Sequence, residues 1–81
     1  MDIDTEKIDQ AVLALLYLTL HDSALAWKGH DWDAMDRLHR KGMIDDPRNK
    51  TKSVWLTADG LTESKRLFEA LFVKHPVPDQ G

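Results

Sequence analysis

The chain contains no cysteine. That excludes disulfides, thiolate zinc sites and cysteine nucleophiles together. Long apolar runs are missing too: the longest, Ala11 to Leu18, covers less than half of the ~20 residues a membrane span needs. The opening Met1-Asp2-Ile3-Asp4-Thr5-Glu6 is acidic where a secretory signal is basic, so a soluble, cytoplasmic protein is expected. There is no Gly-x-Ser-x-Gly and no phosphate-cradling glycine loop, and Ser23, Ser53 and Ser64 have no recognisable base beside them in sequence. A domain this small also struggles to enclose the roughly 300–1,000 Å³ of a small-ligand pocket. An enzyme is not expected, nor a cofactor. Internal repeats and low-complexity segments are absent as well.

What is present is 81 residues, 9.3 kDa, with 42% hydrophobic and 31% charged side chains and a net charge of −3. This is the balance of one folded domain rather than a disordered chain. The reading is a single domain over 1–75 followed by a disordered tail over 76–81, where two prolines rule out continuing a helix. Below roughly 70–80 residues a single core is marginal, so the chain must pack efficiently or share its core with a second copy.

A first helix is predicted from about Thr5 to Leu20, capped by Asp4 or Thr5, with Glu6 and Asp9 at its positive end. Its apolar run points all round the helix and calls for burial on nearly every side. Residues 21–31 carry no sustained period and read as a loop or short extended segment. A second helix follows from about Trp32 to Lys41, capped by Asp31 or Asp33, with Trp32, Met35, Leu38 and His39 on one face; Lys41-Gly42 stops it. Met43-Ile44 and Ser53–Thr57 read as the two strands of a hairpin with an exposed tip between them. Thr57 can cap a third helix reaching about Lys74, in which Leu61, Leu67, Phe68, Leu71 and Phe72 form the apolar arc. The expected class is α+β: a small domain of three helices and a two-stranded β-hairpin.

The stretch Met35–Ile44, ending Lys41-Gly42-Met43-Ile44, followed by Val54-Trp55-Leu56-Thr57-Ala58-Asp59-Gly60, resembles the recognition-helix and wing half of MarR-type and PadR-type winged-helix regulators. The likeness covers roughly residues 35–62 and implies a winged-helix-like scaffold. It departs from that pattern in lacking a complete helix before the recognition helix. Over almost its whole length the chain also resembles a family of short bacterial proteins known only as a domain of unknown function, which implies a bacterial, single-domain protein and no activity.

Charge is unevenly spread. Between Arg37 and Lys52 six cations face two anions, a net +4, while the rest of the chain carries −7. A winged-helix regulator would use such a window on nucleic acid. Asp33–Arg37 and Asp36–Arg40 are spaced to pair along the second helix and neutralise it, leaving Lys41, Arg48, Lys50 and Lys52 as the candidate nucleic-acid contacts. Of the three tryptophans, Trp32 and Trp27 are expected in the core. Trp55 lies opposite Val54 and Leu56, and two readings stand: an exposed aromatic for a base or a protein partner, or a ring folded back over the hairpin or the first helix. His21-Asp22, His30-Asp31 and Asp36/His39 lack the spacing of a zinc site, and no metal is expected. The first helix is expected to leave Leu13, Tyr17 and Leu20 for a partner, and a homodimer is the commonest way to cover such a face.

The functional expectation is therefore a non-enzymatic protein-interaction module. A DNA-binding regulator using the second helix and basic wing is the alternative, and no membrane partner is expected.

Overall fold

The computed structural model describes residues 1–74; the expected tail over 76–81 lies outside them. The elements run α1 (Thr5–Leu18), β1 (Leu25–Trp27), α2 (Trp32–Arg40), β2 (Ser53–Trp55) and α3 (Ala58–Phe72). The domain is α+β, with three helices and a two-stranded antiparallel sheet.

α1 starts where Asp4 accepts the Lys7 amide at 3.1 Å. It stops two residues before Leu20 because Thr19 turns away, bonding the Leu16 carbonyl and accepting the Trp27 amide on its hydroxyl at 3.1 Å. Asp22 and Ser23, both at positive φ, reverse the chain, and His21 and Leu25 exchange two backbone hydrogen bonds across the turn. β1 then pairs with β2 in the register Leu25–Trp55, Ala26–Val54, Trp27–Ser53.

This pairing corrects the expected hairpin. Met43-Ile44 contributes one bridge, Ile44 to Leu56, while the partner of β2 is the segment between the first two helices. Three residues are too few to display an alternation that could be recognised beforehand, and the side chain that β1 buries is only an alanine. Both outer edges of the sheet are partly covered. On the β1 side His21 pairs with Leu25 and Thr19 takes the Trp27 amide; on the β2 side Asp45 donates to the Trp55 carbonyl and Thr57 to that of Met43.

The core gathers Val12, Leu13, Ala14 and Leu16 of α1, Ala26 and Val54 of the sheet, Ala34, Met35 and Leu38 of α2, and Ile44, Leu56 and Leu67. α1 packs on α3, α2 and β1, so it is the central element, although Leu18 at its end is 64% exposed. Burial on nearly every side therefore holds only for its middle.

α2 is capped by Asp31, which accepts the Ala34 amide at 3.1 Å. It ends in a Schellman turn: Gly42 at φ +78° donates to His39, and Met43 donates to Leu38. A Cβ at Gly42 would meet nothing within 4 Å, so a substitution there acts through the backbone alone. Gly42→Val is expected to destabilise by about 1–2 kcal/mol, because a β-branched residue tolerates this conformation poorly. Urea unfolding checks it, and an unchanged midpoint would contradict the cap. Thr57 caps α3, accepting the Gly60 amide at 3.0 Å while its hydroxyl donates to the Gly42 carbonyl at 2.6 Å. One threonine thus ties the end of α2 to the start of α3.

Candidate interaction site

The sheet divides its side chains cleanly. Ala26 and Val54 point into the core; Leu25, Trp27, Ser53 and Trp55 share the outer face. Trp27 and Trp55 are 49% and 48% exposed. Trp55 is thus exposed and not folded back over the hairpin or the first helix. Trp27 and Trp32 overturn the expectation that both lie in the core. Trp27 stands on the outward phase of a strand. Trp32 is 53% exposed because the buried face of α2 centres between Ala34, Met35 and Leu38, roughly 110° from Trp32 at 100° per residue. The indole of Trp32 instead lies beneath the Arg48 guanidinium, 5.7 Å from its ring centre.

His21 fixes the neighbourhood of Trp27. Its ring lies 5.3 Å from the indole, its Nδ1 is 2.8 Å from the Thr19 carbonyl and its Nε2 is 3.3 Å from Ser53 Oγ. The carbonyl can only accept, so Nδ1 carries a proton, and in the neutral ring Nε2 then accepts from the Ser53 hydroxyl. Ser53 thus has a base beside it after all, brought from 32 residues away. The two bonds hold the imidazole against Trp27.

A groove of about 440 Å³ opens between Trp27 and Trp32, lined also by Lys28, Gly29, His30, Thr51 and Lys52. Burial lowers the pKa of His30, which keeps the ring neutral near pH 7. Lys28 shapes one wall. Its ammonium donates to the Pro47 carbonyl at 2.7 Å, the Asn49 carbonyl at 2.9 Å and Asn49 Oδ1 at 2.7 Å, organising the loop 45–52 around one charge. On the other side of the outer face, Trp55, Leu25, Asn49 and Asp22 line a second depression of about 510 Å³.

Two of the four candidate nucleic-acid contacts are held by carboxylates. Lys41 lies 2.9 Å from Asp9 and 3.7 Å from Glu6, and Arg48 lies 2.7 Å from Asp36. The carboxylates that hold them lie outside the same helix turn, in other parts of the chain. Arg37 likewise leaves Asp33 for Asp9, bonding both oxygens at 2.9 and 2.8 Å. Burial alone would raise the Asp9 pKa, but the hydrogen bonds from Arg37 and Lys41 outweigh it and hold the carboxyl below its usual range. Among the described residues Lys50 and Lys52 are exposed and enter no ion pair.

The face expected for a partner on α1 is also corrected. Leu13 is 3% exposed, Tyr17 stacks on Phe68 at 5.3 Å, and Leu20 packs against the core. α3 folds across the side assigned to them, and the expected homodimer loses that face as its basis. The histidine–aspartate pairs serve the fold: Asp31 caps α2, Asp36 holds Arg48, and His39 Nδ1 meets the Ile44 carbonyl at 3.1 Å. Among the described residues no helix is long and apolar enough to cross a membrane.

A family profile described as a domain of unknown function, DUF6429, matches residues 4–74. The chain belongs to this family. It is also 58% identical over 74 residues to an uncharacterized protein, y4hR, of Sinorhizobium fredii (strain NBRC 101917 / NGR234), covering 91% of this chain and all of that protein. No solved structure matches at a significant level. The DUF6429 match takes in every element of the fold and the whole tryptophan-bearing surface. Membership carries no activity, so the function of this DUF6429 protein has to be argued from that surface.

Proposed function

We propose that this DUF6429 domain is a non-enzymatic, cytoplasmic protein-interaction module on a winged-helix-like scaffold, with the tryptophan-bearing surface as its contact. The observation that carries the reading is the outward placement of all three tryptophans, each about half exposed. Tryptophan is enriched among residues that dominate binding energy, and a chain this small has strong reason to bury its indoles unless a partner covers them. Support for the scaffold comes from order and pairing. A strand between the first two helices pairs with the strand leading into α3, Ile44 bridges the other side of that strand, and loop 45–52 occupies the place of a wing. A duplex-binding role is disfavoured by the inward ion pairs of Arg37 and Lys41, which take α2 cations away from phosphates.

The test compares wild type with a Trp32→Ser, Trp55→Ser double variant as bait in nuclease-treated extract of the host cell. A protein bound directly by the wild type, and lost by a variant that melts within a few degrees of it, is expected. The reading fails if protein is retained only from extract left without nuclease. It fails equally if mixed duplex DNA binds at low salt and binding collapses when Arg48, Lys50 and Lys52 become Ala.

A further inference from the structure

We propose that the groove between Trp27 and Trp32 docks a short acidic peptide segment, with an apolar side chain seated between the indoles and a carboxylate on Lys52. The proposal rests on the interaction-module reading and names the partner's chemistry.

The groove is apolar on two sides and positive on the others. Its lining includes two indoles and two ammonium groups and no carboxylate. In a chain whose net charge is −3, this is a local reversal of sign. The two lysines act differently. Lys28 has its three N–H donors committed to carbonyl and amide oxygens, all of them neutral, so its full charge remains but it has no donor left to offer. It contributes a fixed field. Lys52 is exposed, one residue before β2, and supplies the direct contact. Backbone pairing ties the two together, the Lys28 amide donating to the Lys52 carbonyl at 3.1 Å, so both side chains rise from one rim.

The same distribution speaks against a polyanion. A nucleic-acid strand brings a phosphate with every nucleotide, and the neighbouring ground is acidic: Asp31 and Asp33 flank Trp32 in sequence, and Asp22 lines the adjacent depression. Two or three phosphate contacts would give a log–log salt slope of only about −1.4 to −2 on a single strand, a weak hold. One or two carboxylates beside an apolar residue satisfy the groove without meeting those aspartates. Arg48, held over Trp32 by Asp36, stiffens the wall that the apolar side chain would meet.

The experiment is a titration of the full chain, read by tryptophan fluorescence at low salt. Three ten-residue peptides share two Leu, one Phe and five Ser and differ only at the remaining two positions, which are both Glu, both Gln or both Lys; a ten-nucleotide oligothymidylate is the fourth probe. The Glu peptide is expected to bind at least about fivefold more tightly than the Gln peptide, with the Lys peptide weakest. Lys52→Glu should abolish that preference, whereas Lys65→Glu on α3 should preserve it. Trp32→Ala should weaken the Glu and Gln peptides alike, separating the indole from the ammonium. Equal affinity for the Glu and Gln peptides overturns acidic selectivity while leaving the face as an interaction surface. Tighter binding of the oligothymidylate overturns both readings in favour of nucleic acid. Absence of any indole response to the peptides up to millimolar concentration overturns the docking groove, and the extract experiment then decides the wider reading independently.

Discussion

Gly60→Ala should lower the melting temperature by roughly 12–24 °C, the shift that about 3 kcal/mol produces in a domain of this size. Gly60 sits in the first turn of α3, and a Cβ there would overlap the Met43 carbonyl oxygen and come within 2.8 Å of its carbon. The obstacle is backbone, which has no alternative rotamer. That carbonyl also accepts the Thr57 amide at 3.0 Å, so moving it strains the α3 cap as well. Overpacking ordinarily costs about 1–3 kcal/mol, and a rigid obstacle places this site at the upper end or above. Against a total stability of about 4–12 kcal/mol for a chain of this length, the loss is a large fraction. Gly29→Ala is the matched control, since its Cβ would meet nothing within 4 Å. Scanning calorimetry of the two variants makes the comparison, and coincident melting would show that α3 does not press on Met43 as described.

Asp9→Ala is expected to cost about 2 kcal/mol at pH 6, below the 3–5 of a fully buried broken pair because the stranded cations can reach water. The carboxylate is 3% exposed, while the Arg37 and Lys41 side chains are 23% and 39% exposed. The loss is also pH-dependent. The folded pKa of Asp9 lies below its ordinary 3.8, so below that pH the unfolded chain binds the extra proton first. The stabilisation is therefore complete above about 3.8 and disappears as pH falls through the folded value. Urea unfolding of wild type and Asp9→Asn should show a gap at pH 6 that narrows toward pH 2. His30, whose pKa is depressed, also weakens the fold on acidification, but it does so in both proteins and cancels in the difference. A gap independent of pH would mean that Asp9 stabilises by packing rather than by charge.

Local chemistry was legible in the sequence, and distant pairing was not. Asp4, Asp31 and Thr57 cap the helices because a short oxygen-bearing side chain before a helical run has one thing to do, and Gly42 ends α2 for an equally local reason. The errors share an origin in choices made between remote segments. Residues 25–27 pair with β2 because the turn at Asp22-Ser23 brings them there, and no period over three residues announces it. Arg37 has Asp33 one helical turn away and takes Asp9, 28 residues distant, where burial strengthens the pair. Trp32 lies at the margin of the apolar face that places it inward, and the fully buried Ala34 belongs to the packed face instead. The candidate site was the least legible part. Of its aromatic residues only Trp55 has an outward phase that can be read from its neighbours, and the roles of His21 and Lys28 exist only once the sheet has formed.

The partly covered edges of the sheet bear on how the protein behaves in a crowded cell. An open strand edge beside three exposed indoles would be a template for runaway assembly, since backbone pairing and apolar contact would reinforce each other. Here Thr19 and His21 occupy one margin and residues 43–45 part of the other. Contact through the tryptophans is thereby left to side chains, whose complementarity ends where the surface ends. A domain built this way can keep a sticky face without polymerising through it.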